Sequence, residues 1–234
     1  MGTAVVFAGG PVEGRHPAEA QLPVAADLVV AVDSGLELAE SLGRAVDLVV
    51  GDMDSVSPDA LARAELAGAV VRRHPVAKDE TDLELAMEEV HAAGVHRVVV
   101  LGSDAGRLDH LLGAASTISS PRWRTMEVEA WFGAALLVPV HDSRALPARR
   151  GALVSLLALH GPATGVRTHG LRWPLDGDTL EVGSSRGVSN EVLGAEVRVS
   201  LDSGSLVAVL PDGAGPAGAG RVAVVGSSTI GGVA

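Results

Sequence analysis

Apolar and polar positions alternate along the first half of the chain in two distinct periods. Short apolar runs rich in β-branched residues occur at Ala4–Ala8, Leu28–Val32, Asp47–Val50, Val70–Val71 and Arg97–Leu101, and they predict strands. Between them lie segments of helical spacing. Leu36–Leu42 stops at Gly43, Thr81–Ala93 stops at Gly94, and Asp109–Ser119 follows a glycine-rich stretch. A further helix opens at Ser57-Pro58, where serine suits the N-cap and proline the first helical position. Strands that alternate with helices predict a parallel sheet with helices on its faces. Ligands bind such sheets at the carboxyl ends of the strands. Those ends are Gly9-Gly10, Asp33-Ser34-Gly35, Gly51-Asp52-Met53-Asp54 and Gly102–Arg107, so glycine and polar residues collect at the edge where a site is expected.

The pattern changes after about Trp131. From Gly151 onward the apolar runs are short and split by turn residues: Leu153–Leu159, Gly165–Thr168, Thr179–Val182, Glu196–Leu201 and Leu206–Leu210. They predict a small antiparallel β-sandwich. Asp142–Arg150 reads as the linker, Asp212–Gly220 as a flexible Gly/Ala/Pro segment, and Arg221–Ile230 as an extra strand or part of a tail. The expected fold class is therefore α/β plus all-β. Residues 1–138 form an α/β domain with a parallel sheet, 139–211 a β-sandwich, and 212–234 a Gly/Ala-rich tail.

Composition narrows the chemistry. With 234 residues the chain is long enough for a real hydrophobic core, and it has no cysteine, which removes disulfides, zinc–thiolate sites and thiol nucleophiles. The net charge of −11 opposes nucleic acid and anionic lipid as partners. Aromatic residues are Phe7, Trp123, Trp131, Phe132 and Trp173 only, too few for a single-strand stacking surface. No apolar run is as long as a membrane span, and the first residues read as a strand, which together point to the cytoplasm. Of 18 basic residues a single one is lysine, Lys78, and it stands beside a run of acids.

Three stretches carry candidate chemistry. In Gly51-Asp52-Met53-Asp54-Ser55 two carboxylates two residues apart can aim the same way and hold a hard cation such as Mg²⁺; a solvated acidic turn is the plain alternative. Lys78-Asp79-Glu80-Thr81-Asp82-Leu83-Glu84 opens a helix, where Thr81 or Asp79 can cap and acids favour the dipole; Lys78 can also meet phosphate while a carboxylate holds metal. In Gly102–His110 the glycines allow backbone N–H groups near an anion and Arg107 offers a planar fork. Asp109 either binds a cation or polar ligand or caps the helix, and His110 reads as a packed or surface residue. Asp33-Ser34-Gly35 is explained by a turn but shares the same edge. Gly187-Val188-Ser189-Asn190-Glu191 is a polar hairpin connection, and the lone Trp173 reads as core.

Taken together and in order, these pieces resemble the thiamine pyrophosphokinase family. The resemblance rests on Ala8-Gly9-Gly10, Val32–Gly35, Asp47–Ser55, Lys78–Glu84, Gly106–His110, Thr164-Gly165-Val166, Gly170–Leu175 and Gly187–Glu191. It implies transfer of the pyrophosphoryl group of ATP to the hydroxyl of thiamine, with Mg²⁺, giving thiamine diphosphate and AMP. It implies a homodimer with the active site near the subunit interface. Carried over, Asp52, Asp54 and Asp82 would hold Mg²⁺, and Asp33, Lys78, Thr81 and Arg107 would surround ATP. Asp109, with Ser189 and Asn190 from the second subunit, would face thiamine, and Trp173 is the candidate for stacking. Ser34 and Ala105 stand where the family commonly has glycine.

Two other readings compete. Asp52-Met53-Asp54-Ser55-Val56 after a strand also fits the DxDxV signature of haloacid dehalogenase-type phosphatases, with Asp52 as nucleophile, although two β-units precede it here. A non-catalytic sensor of thiamine or nucleotide is the second; so many mutually repelling acids argue against it.

Overall fold

The computed structural model describes residues 2–9, 16, 18–103 and 107–213. Gly10, Asp104, Ala105 and Gly106 of the expected glycine turns, and 214–234 of the expected tail, lie outside these residues. Six parallel strands form the first layer: β1 (Thr3–Ala8), β2 (Leu28–Val32), β3 (Leu48–Gly51), β4 (Val70–Arg73), β5 (Arg97–Gly102) and β6 (Glu127–Phe132). Their spatial order is β6-β5-β1-β2-β3-β4. The chain thus winds outward from β1 to β4, then crosses back to β5 on the other side of β1. The strands Leu28–Val32 and Leu48–Gly51 carry almost unbroken apolar sequence because helices cover both faces.

The helices are α1 (Gly35–Ser41), α2 (Pro58–Leu66), α3 (Asp82–Ala92) and α4 (Leu108–Ile118). The start signals read from the sequence operate as expected. Ser57 Oγ accepts from Ala60 N at 3.3 Å with Pro58 at the first helical position, and Thr81 Oγ1 accepts from Glu84 N at 3.2 Å. Gly35 begins α1 directly against β1: a Cβ there would lie 1.9 Å from the Phe7 carbonyl oxygen, so no larger residue fits. Among the described residues no helix is long and apolar enough to cross a membrane.

The antiparallel part differs in detail from the sequence pattern. The large sheet continues beyond β6 through β7 (Ala135–Val140), β14 (Leu206–Leu210), β9 (Leu153–Leu157) and β12 (Asn190–Glu191). Facing it is a four-stranded sheet of β11 (Asp176–Leu180), β10 (Ala163–His169), β13 (Val197–Ser200) and β8 (Ser143–Leu146). The stretch 142–150, expected to be a linker, therefore contains strand β8, which pairs antiparallel with β13 from Ser143↔Ser200 to Leu146↔Val197. The part 187–191, expected to be only a turn, ends in β12, paired with β9 at Asn190↔Val154. Strand β7, which the sequence reading did not single out, contains Pro139, a residue that argues against a central strand. The conflict is avoided because β7 pairs with β6 only from Ala135 to Leu137, and Pro139 lies past that ladder.

Strand β7 also spans residue 138, so the parallel layer and the sandwich share one sheet. One core cluster accordingly runs from Val5, Phe7 and Leu101 through Leu136 and Val138 to Val199 and Leu206, all buried. Leu136, at 0 % exposure, sits in the middle of it. Leu136→Ala is expected to lower stability by about 2–5 kcal/mol and to shift a single thermal transition as a whole. Two separate transitions, only one of them moved, would contradict a shared core.

Candidate functional site

The carboxyl ends of β1, β2, β3 and β5 and the first turns of α3 and α4 open onto one cleft of about 680 Å³. Asp33, Asp52, Asp54, Thr81, Asp82, Arg107 and Asp109 all line it, drawn from segments far apart in sequence. It lies beside β1, where the winding direction of the sheet reverses, as the fold rule requires.

Asp33 follows β2, and its N–H extends the ladder to the Val50 carbonyl at 3.1 Å. Its Oδ1 accepts from Met53 N at 3.2 Å. Asp52 Oδ1 accepts from Asp54 N at 3.1 Å, which turns the segment after β3 back on itself. Carboxylate oxygens of Asp33, Asp52 and Asp54 come within 4.8 Å of one another. Asp33, expected beside the nucleotide, thus lies in the same oxygen group as Asp52 and Asp54. Asp82, expected to join that group, opens α3 and contacts Lys78 Nζ at 3.0 Å, while Lys78 Nζ stands 3.8 Å from Asp52 Oδ2. The only lysine of the chain is thereby spent among the acids, in a side chain just 12 % exposed.

The electrostatics follow from this count of charges. Burial, then the field of Asp82, push Asp33 from 3.8 up to about 7, against the opposing Met53 N–H. Burial disfavours the charge on Lys78, but the hydrogen bond to Asp82 and the fields of Asp82, Asp52 and Asp33 raise its pKa in sum. Four carboxylates with one ammonium leave excess negative charge, and all the donors are hard oxygens. This set fits a divalent cation of the Mg²⁺ type, which takes a few carboxylates and completes its shell with water or phosphate.

At the cleft mouth Arg107 and Asp109 form a fork, Nε–Oδ1 at 3.2 Å and Nη2–Oδ2 at 2.5 Å. The Arg107 hydrogen bond holds the Asp109 carboxyl below its ordinary value. Thr81 caps α3 and also lines the cleft. His110, set aside in the sequence, lines the cleft as well, and so does the largely buried Phe132. The available signals were the position of His110 beside Asp109 on α4 and that of Phe132 at the end of a strand next to β5.

The sandwich residues stand apart from the cleft of their own chain. Asn190 is buried; its Oδ1 accepts from Trp173 N at 3.1 Å and Glu191 N at 2.9 Å, and its Nδ2 donates to Trp173 O at 2.7 Å. The amide therefore ties the loop at Trp173 to β12. Ser189 has φ of 60° and donates its N–H to Ser155 Oγ at 3.0 Å. Trp173, expected in the core, is 59 % exposed, with the Arg172 guanidinium 5.8 Å from its ring centre.

Fold and cleft together define an open α/β protein, with an appended β-sandwich, whose carboxylate cleft suits a cation and a phosphate ligand. A family model described as thiamin pyrophosphokinase, catalytic domain, matches residues 20–130. A second, described as thiamin pyrophosphokinase, vitamin B1 binding domain, matches residues 144–206. The chain belongs to the thiamin pyrophosphokinase family. It is similar to thiamine pyrophosphokinase 1 of Oryza sativa subsp. japonica, 27 % identical over 169 residues, which is 67 % of this chain and 63 % of the rice protein. The chain thus spans a little under two thirds of that relative's length. Its fold is that of the thiamine pyrophosphokinase from Bacillus subtilis, with a TM-score of 0.76 at 21 % identity over 89 % of this chain and 98 % of the other. The thiamin pyrophosphokinase from Candida albicans aligns with a TM-score of 0.71 at 14 % identity, over 89 % and 88 % of the two chains. Neither family model is that of a haloacid dehalogenase, and Asp52 here follows the third strand.

Asp33 yields a pH prediction with a definite sign. A carboxyl raised from 3.8 to about 7 binds its proton more tightly in the folded chain. The stability this contributes is full below the lower value and lost as pH rises through the upper one. Asp33→Asn keeps the neutral form at every pH. In chelator, its unfolding temperature is expected to gain on the native chain's between about pH 5 and about pH 8. Millimolar Mg²⁺ is expected to close that gap by stabilising the native chain; a gap constant with pH would contradict the raised value.

Proposed function

We propose that the protein is a thiamine pyrophosphokinase, transferring the pyrophosphoryl group of ATP to the hydroxyl of thiamine and releasing AMP and thiamine diphosphate. The observation that carries this reading is the oxygen group of Asp33, Asp52 and Asp54 inside a cleft also lined by Arg107 and Asp109. Matches to both family models, in order along the chain, support it. In this reading 1–138 handles nucleotide and cation, and 139–211 contributes to thiamine.

Asp33, Asp52 and Asp54 would hold Mg²⁺, with Asp82 close by. When bound, the cation supplies charge neutralisation and orientation of the phosphate oxygens. Lys78 keeps Asp52 and Asp82 together and compensates part of their charge. Arg107, exposed at the mouth, offers its fork to the phosphates, and Thr81 lines the cleft at the start of α3. Asp109, with its carboxyl free once Arg107 turns to phosphate, faces the acceptor, and the acidic cleft suits the positive thiazolium ring.

Ser189 and Trp173 lie outside this chain's own cleft, so their part in holding thiamine requires a second copy. A homodimer in which each sandwich completes the partner's cleft is included in the proposal; exposed Trp173 and Val188 support a covered face there. Asn190, its amide committed to Trp173 and Glu191, would position that loop. Location in the cytoplasm belongs to the same proposal and accords with the cysteine-free composition.

Incubation of the purified chain with ATP, Mg²⁺ and thiamine is expected to give AMP and thiamine diphosphate in equal amounts. Release of ADP or free phosphate would overturn the reaction assigned, and thiamine binding without turnover would leave a sensor. Asp54→Asn is expected to lower turnover by at least about 10²-fold, roughly 2.7 kcal/mol of barrier, with unchanged circular dichroism. Arg107→Ala is expected to raise KM for ATP well above any change in KM for thiamine. Equal changes in both would remove Arg107 from the phosphates.

A further inference from the structure

The three carboxylates that share one oxygen group come from two strands, and the point where those strands meet leaves room for nothing larger than hydrogen. Gly51 ends β3 with φ of +151°. A Cβ built on it would lie 1.8 Å from Asp33 Oδ1, 2.5 Å from its Cγ and 2.9 Å from Oδ2. The Asp33 carboxyl therefore rests on the Cα of Gly51. It is held there from two sides. Its own backbone takes φ of 43°, and the N–H it accepts belongs to Met53, which takes φ of 67°. Both are left-handed conformations that non-glycine residues adopt only under constraint from their surroundings.

We propose that Gly51 is a positioning residue for the cation site. It offers no side-chain ligand, but its missing side chain is what admits the Asp33 carboxyl to the oxygens of Asp52 and Asp54. A methyl group at residue 51 drives Asp33 out of the group and leaves Asp52 and Asp54 as the remaining pair. The inference rests on the cation reading of the preceding subsection and adds to it a residue that touches neither cation nor substrate.

The test uses the full chain without nucleotide, with Mn²⁺ alone as the probe. Free Mn²⁺ is followed by electron paramagnetic resonance, and thermal unfolding is recorded in parallel. Gly51→Ala is expected to weaken Mn²⁺ binding by about 10- to 100-fold. Asp33→Ala weakens it too, and adding Gly51→Ala to Asp33→Ala is expected to change affinity by less than about twofold, because the two act as one unit. Asp33→Ala is also expected to return part of the unfolding temperature that Gly51→Ala loses, since it deletes the atoms the new methyl would meet.

A folded Gly51→Ala chain with native Mn²⁺ affinity overturns the proposal. So does an equal Mn²⁺ loss with and without the Asp33 carboxyl, a merely structural effect. Where Gly51→Ala fails to fold, both variants are compared in a stabilising osmolyte, since φ of +151° strains an L residue in either background: a double variant no more stable than Gly51→Ala overturns the proposal, and a more stable one supports it. A native chain that takes up no Mn²⁺ overturns the cation reading instead; the thermal rescue then still reports whether Gly51 and Asp33 compete for space, so the two failures stay distinct.

Discussion

Asp33, Asp52, Asp54 and Asp82 converge on one cleft with a single ammonium among them, and the repulsion they generate is the load under which the rest of the structure is arranged. Among the described residues Lys78 alone reaches Asp82 and Asp52, and burial together with the field of Asp82 raises the pKa of Asp33. The counterweight is apolar burial underneath. Val30, Val49, Val50, Phe7 and Leu101 are wholly buried in the strands whose ends carry the charges. At about 25 cal/mol per Å² of apolar area, such strands hold their ends in place even when those ends repel. The register is also fixed at the site itself, since the Asp33 N–H continues the β2–β3 ladder by bonding the Val50 carbonyl.

Helix α3 adds to this balance in a way its sequence announces. Thr81 caps the first turn and leaves Asp82 and Glu84 within it, where the positive end of the helix dipole favours acids. The same turn that reads as ordinary capping chemistry therefore lowers the cost of bringing Asp82 to the cleft. The cap and the cleft wall are thus built from one turn, so the sequence signal for capping does not argue against a place at the cleft.

Five of the six parallel strands were legible because their signals are local: β-branched runs, Ser57-Pro58, and glycine or aspartate at most strand ends; β6, with Glu127 and Glu129 in it, was not read. The candidate cleft was legible for the same reason, since strand ends of an open α/β sheet must meet at one edge. What escaped depends on contacts distant in sequence. Strand β8 is short and polar, and only its pairing with β13 makes it a strand. Strand β7 tolerates Pro139 because its ladder with β6 covers only Ala135–Leu137, and nothing in the sequence tells where that ladder stops. As the lone aromatic of its half Trp173 reads as core, yet its backbone is held by the Asn190 side chain, and the ring faces outward. The sequence explains Asp33 by a turn and the family resemblance puts it beside the nucleotide; its place in the oxygen group with Asp52 and Asp54 depends on lying over Gly51, which spacing does not reveal.

Lys78 and Arg107, read alike in the sequence as phosphate contacts, are separated by their surroundings. Lys78 is 12 % exposed and faces Asp82 and Asp52, themselves 20 % and 11 % exposed. Withdrawing it would leave largely buried charge uncompensated, a costly loss. Arg107 and its partner Asp109 are 70 % and 63 % exposed. Water solvates and screens that pair, so exchanging the carboxylate for another anion costs little. A planar guanidinium also matches phosphate oxygens as well as it matches carboxylate. The exchangeable cation is therefore the one at the mouth, and the lysine is the one that makes the acidic floor possible. This division follows from exposure, a property of the folded chain, which is why residue type alone assigned both to the same task.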